Sequence, residues 1–220
     1  MNIFWDLDGT LTDPFEGITD AVRYALAQSG ITAPPATELS WVIGPALIDT
    51  FTELGVPDPQ ASLEHYRQHY INQGLFKARL YDGVLDMLDV LRSGGHKMYL
   101  MTAKPHAYAH KVTAHFGLTP FLDAQFGPEL DGTRNDKAEL LAHALGELDL
   151  GSANNVMIGD RRYDFIAARE NAMPSIAALW GYGTDNEHGL AGQTCKKPAD
   201  IPKLVSYLDS FPPCDPNHFR

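Results

Sequence analysis

The sequence predicts an α/β fold: a parallel sheet with helices on both faces, interrupted early by an inserted helical module. Three observations predict it. Short apolar runs recur along the chain, each ending at a small or polar residue, and helix-period segments separate them. One stretch, residues 14–79, carries helical patterning without a convincing buried strand.

The runs read as strands are Ile3 to Trp5, Lys97 to Met101, a weaker Ala124 to Phe126, Asn155 to Ile158, and Ser175 to Trp180. Between them, Val84, Leu85, Leu88 and Leu91 build one helical face, as do Leu140, Leu141, Ala144, Leu145 and Leu148. Within 14–79, Asp13 reads as an N-cap, with Pro14 at the first helical position and Glu16 three residues after the cap. Ile18, Ala21, Val22, Ala25 and Leu26 continue that helix to about Gly30. Pro34-Pro35 and Gly44-Pro45 interrupt around a short segment at 41–43, and further helices cover 46–54 and 59–73. The expected organisation is a Rossmann-like core from 1–13 and 80–220 with a helical cap at 14–79. In such sheets ligands bind beyond the carboxyl ends of the strands, where strand order reverses, so functional residues belong just after the apolar runs.

With 220 residues, 44% hydrophobic and 20% charged, the chain has the composition of a folded globular protein. A formal net charge of −11 argues against nucleic acid or an anionic membrane as partner, and an anionic ligand would need a local cation. No apolar run approaches the roughly 18 residues of a membrane span. The N-terminus has no basic, leader-like start, and Cys195 and Cys214 form no disulfide framework, so the expected location is cytoplasmic. His65 with His69, and His106 with His110, have a zinc-compatible spacing. Neither pair has the glutamate of a metalloprotease helix, and both read as solvated faces.

Four clusters follow the apolar runs. Asp6-Leu7-Asp8-Gly9-Thr10 puts two carboxylates at i and i+2, which on an extended segment face the same way and repel, so that one carboxylate pKa rises or a metal binds between them. Hard oxygen ligands suit Mg²⁺. Thr102 offers a hydroxyl, and Ala103 a backbone N–H, ahead of a helix that could bind phosphate. Lys137, opening another helix, supplies a cation. Gly159-Asp160-Arg161-Arg162-Tyr163-Asp164 adds a second acidic pair, with Asp160 at the strand tip as a direct metal ligand and Asp164 behind it holding the metal's waters.

In their order and spacing these clusters resemble the four motifs of the haloacid dehalogenase-like hydrolases, over Asn2 to about Gly183. Ile43-Gly44-Pro45, Tyr81-Asp82-Gly83-Val84 and Trp180-Gly181-Tyr182-Gly183 are similar to the phosphoglycolate phosphatase-like branch, which usually has Asn where this chain has Ala103. The resemblance implies a magnesium-dependent phosphatase acting on a small phosphorylated metabolite. Asp6 would be the nucleophile of an aspartyl-phosphate, and Asp8 the acid and then the base. Mg²⁺ would be held by Asp6, the Asp8 carbonyl and Asp160, with Thr102, Ala103 and Lys137 on the phosphate. Ile43, Gly44 and Pro45, and the surroundings of Arg79, would set substrate choice. A 5′-nucleotidase, a sugar-phosphate phosphatase or mutase, a metal-free dehalogenase and a non-catalytic phosphorylatable sensor are the alternatives; oligomeric state is open.

Overall fold

The computed structural model describes residues 1–151 and 153–210. In chain order the strands are β1 (Asn2–Trp5), β2 (Thr12–Asp13), β3 (Arg79–Leu80), β4 (Lys97–Met101), β5 (Ala124–Phe126), β6 (Asn155–Gly159), β7 (Ser175–Ala178) and β8 (Gln193–Cys195). The α-helices are α1 (Phe15–Gln28), α2 (Leu47–Glu53), α3 (Pro59–His69), α4 (Val84–Ser93), α5 (His106–His115), α6 (Lys137–Glu147), α7 (Arg162–Glu170), α8 (Asp185–His188) and α9 (Ile201–Asp209).

Six strands form one parallel sheet in the order β5-β4-β1-β6-β7-β8. The chain builds outward from β1 to β4 and β5, then crosses back to β6 on the other side of β1. That reversal makes the carboxyl ends of β1, β4 and β6 a topological switch point. Side chains alternate between the faces. Ile3, Trp5, Met98 and Leu100 join the core that includes Val84, Met87 and Leu88 of α4, while Phe4, Tyr99, Met101 and Met157 pack with Leu140, Leu141, Ala167 and Ala168 of α6 and α7.

Helices α1 to α3 form the insertion. Its two ends pair as an antiparallel ribbon, Thr12 with Leu80 and Asp13 with Arg79, so the chain leaves and rejoins the sheet at one point. Asp13 is thus a strand residue and Pro14 occupies the cap position. The Asp13 carboxylate still accepts the Phe15 N–H at 3.2 Å, an Asx-type bond two residues on. Helix α3 ends in a π turn, Tyr70–Gly74, in which Leu75 N–H donates to Tyr70 O at 2.7 Å. That turn lies directly on α1. A Cβ on Gly17 would come within 3.0 Å of Lys77 O and collide with Gly74 O, so glycine is what lets the two backbones meet.

The structure corrects two further expectations. Leu85 points to solvent, and Met87 takes its place on the buried face of α4. Strand β7 stops at Ala178, leaving Trp180 in a turn. Strand β8, a polar run of three residues, and helix α9, whose Ile201, Leu204, Val205 and Leu208 share one face at i, i+3, i+4 and i+7, close the sheet edge where the sequence carried no expectation. Cys195 is buried and Cys214 lies outside the described residues. Among the described residues, no helix is long and apolar enough to cross a membrane.

Asp123 holds the other edge strand. It accepts Met98 N–H at 3.0 Å and Lys97 Nζ at 3.0 Å, with Arg92 Nη1 at 3.2 Å. Burial pushes its carboxyl up, but these donors outweigh that and hold it below the usual carboxylate range. Its contribution to stability is therefore present above the unfolded-state value near pH 4 and lost as pH falls toward the lowered folded value. Asp123→Asn is expected to cost about 1 kcal/mol at pH 7, discounted because Lys97 faces solvent. Melting curves of the two proteins should converge below about pH 4; a gap that persists there means the charge is not what stabilises.

Candidate active site

The carboxyl ends of β1, β4 and β6 deliver the chemistry-bearing side chains to one place. Asp6 continues the sheet by one bond, its N–H donating to Ile158 O at 2.9 Å. The chain then turns tightly around Leu7 O, which accepts from Leu11 N–H and Thr12 N–H, both at 2.9 Å. Gly9 serves this turn twice over. Its φ of +91° is a left-handed value, and a Cβ there would lie 2.6 Å from Asp160 Cγ. Strand geometry thus ends at Trp5, and the two acids of the first cluster part company. Asp6 turns to Lys137, with Nζ 2.7 Å from Oδ1, whereas Asp8 Oδ2 sits 2.6 Å from Lys104 Nζ and its Oδ1 accepts from Thr12 Oγ1 at 3.3 Å. Each acid of the pair thus has its own lysine.

Asp6 instead meets Asp160 and Asp164, all three buried and with carboxylate oxygens within 4.8 Å of one another. Lys137 is anchored at the start of α6, where Asp136 caps the helix by accepting Ala138 N–H at 2.8 Å and Glu139 N–H at 3.0 Å. Its Nζ bridges Asp6 and Asp164, the latter at 2.5 Å. Asp164 therefore joins the cluster directly rather than standing behind it, and its Oδ2 also accepts Arg161 N–H at 3.0 Å.

Burial dominates the electrostatics. It raises Asp6 and Asp160 above the usual carboxylate range, and it pushes Asp164 up to about 6 although Lys137 pulls the other way. Burial also opposes the charge on Lys137, but Asp164 and Asp6 outweigh it and keep the ammonium protonated. Three acids against one lysine leave an excess of buried negative charge and hard oxygen donors. That donor set fits a divalent cation such as Mg²⁺. The Asp8 carboxylate is turned away, so Asp8 would serve such an ion only through its backbone carbonyl.

The loop after β7 fixes Asp160. Tyr182 N–H donates to Asp160 Oδ2 at 2.6 Å, and Trp180 Nε1 donates to Thr10 O at 2.9 Å. A Cβ on Gly181 would strike both Gly9 O and the Asp160 side chain, so Trp180-Gly181-Tyr182-Gly183 acts as a buttress. Arg161 ties the insertion down beside it, donating through Nη1 to Ile43 O and through Nε to Glu187 Oε1 at 3.1 Å.

A pocket opens from Asp6 and Asp8 toward the insertion. Thr102, Ala103, Lys104, Gly44 and Pro45 line it, and Tyr66, Tyr70, Tyr108, Leu47, Ile48 and Leu63 make its walls largely aromatic and apolar. Thr102 Oγ1 accepts Lys104 N–H at 3.1 Å, an orientation that leaves its O–H to donate. Two expected substrate determinants lie elsewhere. The Ile43 side chain is in the hydrophobic core and only its carbonyl works at the boundary, while Arg79 points to solvent and pairs with Asp13 at 2.9 Å. The expectation of solvated faces is corrected for His69, which is partly buried, bonds Asp20 at 3.1 Å and stacks on Tyr24, while His106 packs on His110.

The model of the haloacid dehalogenase-like hydrolase family matches residues 3–178, four-fifths of the chain, from β1 through Asp164 to the end of β7. The chain belongs to this family. A 5′-nucleotidase of Pseudomonas aeruginosa is 39% identical over 95% of this chain and 96% of its own. Tyrosine-protein kinase PtkA of Mycobacterium tuberculosis is 32% identical over 82% of this chain and 62% of that longer one, and a phosphoglycolate phosphatase of Cupriavidus necator is 29% identical over 94% and 89%. A solved structure from Clostridium acetobutylicum, described as a "predicted phosphatase", superposes with a TM-score of 0.87 at 31% identity, covering 96% of this chain and 98% of that one.

In this haloacid dehalogenase-like hydrolase, sequence reasoning passed over two groups that the structure puts in the site. They are Lys104 and Tyr70, neither of which the sequence singles out as a site residue. Lys104 Nζ lies 2.7 Å from Tyr70 Oη and reaches Asp8 from there. The signal for Lys104 was its place two residues after Thr102 at a strand tip; Tyr70 had no local signal.

Proposed function

We propose that the chain is a magnesium-dependent phosphatase whose substrate is a phosphomonoester with a ring-bearing leaving group, a nucleoside monophosphate above all. The observation that carries the chemistry is the separation of the two acids: Asp6 among carboxylates and Lys137, Asp8 facing the open pocket on its own lysine. Residues 14–79 are taken as a cap hinged at β2 and β3, with Gly44 and Pro45 on its pocket wall.

Asp6 attacks phosphorus as the bond to the leaving alcohol breaks, and the alcohol oxygen takes a proton from Asp8. A water then attacks the phosphorus of the aspartyl-phosphate, giving its proton back to Asp8 as the Asp6–phosphorus bond breaks. Asp8 is thus acid and then base, and one hard displacement becomes two easier ones. Thr102 Oγ1, the Ala103 N–H and Lys137 hold the phosphoryl oxygens in line. Asp6, Asp160 and Asp164, with the Asp8 carbonyl, would hold Mg²⁺, which supplies charge neutralisation for those oxygens.

The substrate reading rests on the walls. Tyr66, Tyr70 and Tyr108 with Leu47, Ile48 and Leu63 suit a ring system. Phosphoglycolate, the substrate class that the branch resemblance suggests, would need a cation for its carboxylate. Of the two cations that line the pocket, Lys104 is paired with Asp8 at 2.6 Å and Arg67 gives one of its N–H groups to Leu130 O at 2.8 Å. The Pseudomonas relative's name agrees with the nucleotide reading. Assayed with Mg²⁺ against a panel, kcat/KM for a purine or pyrimidine 5′-monophosphate should exceed that for phosphoglycolate by about 10-fold or more. The reverse order would sink the nucleotide assignment and leave the phosphatase, whereas no Mg²⁺-dependent turnover of any phosphomonoester would sink both.

A further inference from the structure

We infer that Tyr70 and Lys104 are positioning residues that aim Asp8, so that the proton-transfer group is aligned only while the helical insertion is docked on the sheet. The inference rests on the phosphatase reading above and goes beyond it to how the acid–base group is controlled.

Lys104 and Asp8 belong to the sheet half of the molecule, on the loops after β4 and β1. Tyr70 belongs to the insertion. Lys104 Nζ spans the boundary, 2.6 Å from Asp8 Oδ2 and 2.7 Å from Tyr70 Oη, with all three side chains buried. An unbranched ammonium has many rotamers and loses their freedom only where its donors are engaged. With Tyr70 present, two acceptors fix Nζ, and Nζ in turn fixes one oxygen of Asp8. Thr12 Oγ1 fixes the other at 3.3 Å. Without the Tyr70 hydroxyl, Asp8 is the one polar side chain among the described residues left to Lys104 Nζ, and the pair can swing together.

Tyr70 is held more firmly than a pocket-lining residue needs to be. Its ring is stacked on Tyr66, centroids 5.3 Å apart, and packs against Tyr108 at 6.4 Å. It opens the π turn that ends α3, and that turn is pressed on α1 through the Gly17–Gly74 contact. A π turn adds one residue to the helical repeat and re-aims the side chains next to it, which is why such turns recur at functional sites. Here the helix that carries Tyr70 is fixed from two sides, and its one polar atom meets the lysine of the other half.

Tyr70→Phe removes the hydroxyl and keeps the ring, and unchanged melting would verify the fold. The measurement is rapid-quench kinetics with p-nitrophenyl phosphate, whose leaving group departs without a proton, so that only the second step uses Asp8. In the variant, formation of the Asp6 phosphoenzyme should change by less than about twofold, while its breakdown slows about 10-fold and phosphoenzyme accumulates. Lys104→Met should slow breakdown about 100-fold, and adding Tyr70→Phe to it should cost nothing more, because Tyr70 acts through Lys104. Equal slowing of both steps, a change in KM alone, or additive losses in the double variant would overturn the inference. Failure of the wild-type protein to form a phosphoenzyme at Asp6 would instead overturn the phosphatase reading on which it rests.

Discussion

Asp6→Asn is expected to lose turnover by on the order of 10⁴-fold or more and to form no phosphoenzyme, while keeping its fold. The two halves of that result have separate causes. The amide is no nucleophile toward phosphorus, so the first displacement has nothing to start it. The fold survives because Asp6 sits where its charge is a burden: burial raises its pKa, and Asp8 adds to the repulsion. Substitution gives up the Lys137 bond at 2.7 Å, yet Lys137 keeps Asp164 at 2.5 Å, so the buried ammonium is not orphaned. Gain and loss oppose one another, and melting without metal should move by no more than about 3 °C, equivalent to about 1 kcal/mol in a chain of this size. Mg²⁺ should then raise the melting temperature less than in the wild-type protein, since one of three carboxylates is gone. Mg²⁺-dependent phosphatase activity surviving in Asp6→Asn would falsify Asp6 as the nucleophile.

How much of this was legible in the sequence follows from the range of the interactions. Strands β1, β4, β6 and β7 are buried on both faces and so read as continuous apolar runs, and their order with the intervening helices gives the sheet. Strand β8, with Gln193 and Thr194, is a short polar edge with no such run. The face of α4 is legible in the period itself: Val84, Met87, Leu88 and Leu91 fall at i, i+3, i+4 and i+7, whereas Leu85, one residue on from Val84, lies off that stripe and is exposed. Asp6, Thr102, Lys137 and Asp160 were legible because each follows a strand or opens a helix, a position that local pattern reveals. The direction of the Asp8 carboxylate was not. It depends on the chain leaving strand geometry at Asp6 and turning at Gly9, and on a lysine 96 positions away. Tyr70 is less legible still, since a π turn breaks the 3.6-residue period by which its facing would be judged.

Lys137→Met is the substitution expected to cost most stability. It leaves Asp6, Asp160 and Asp164 buried together with no cation among them, and removing one partner from a buried ionic network costs about 3–5 kcal/mol. In a chain of this size that is a fall in melting temperature of roughly 6–20 °C, measured in EDTA near pH 8. Two conditions should restore it, each through a sign that can be worked out beforehand. Burial already holds Asp164 up at about 6 and Asp160 above its ordinary value. A folded-state pKa above the unfolded one near 4 means that the native protein binds the extra proton, so stability falls as pH rises from about 4 through about 6. Loss of the ammonium raises those values further, and the deficit of the variant should therefore shrink toward pH 5 and grow toward pH 8. Mg²⁺ should stabilise the variant in proportion to RT ln(1 + [Mg²⁺]/Kd), restoring part of what the lysine supplied. Turnover should stay low even then, because the phosphoryl oxygens lose the ammonium beside Asp6. A deficit indifferent to both pH and Mg²⁺ would show that Lys137 works as packing and that the three carboxylates are not the electrostatic centre of the site.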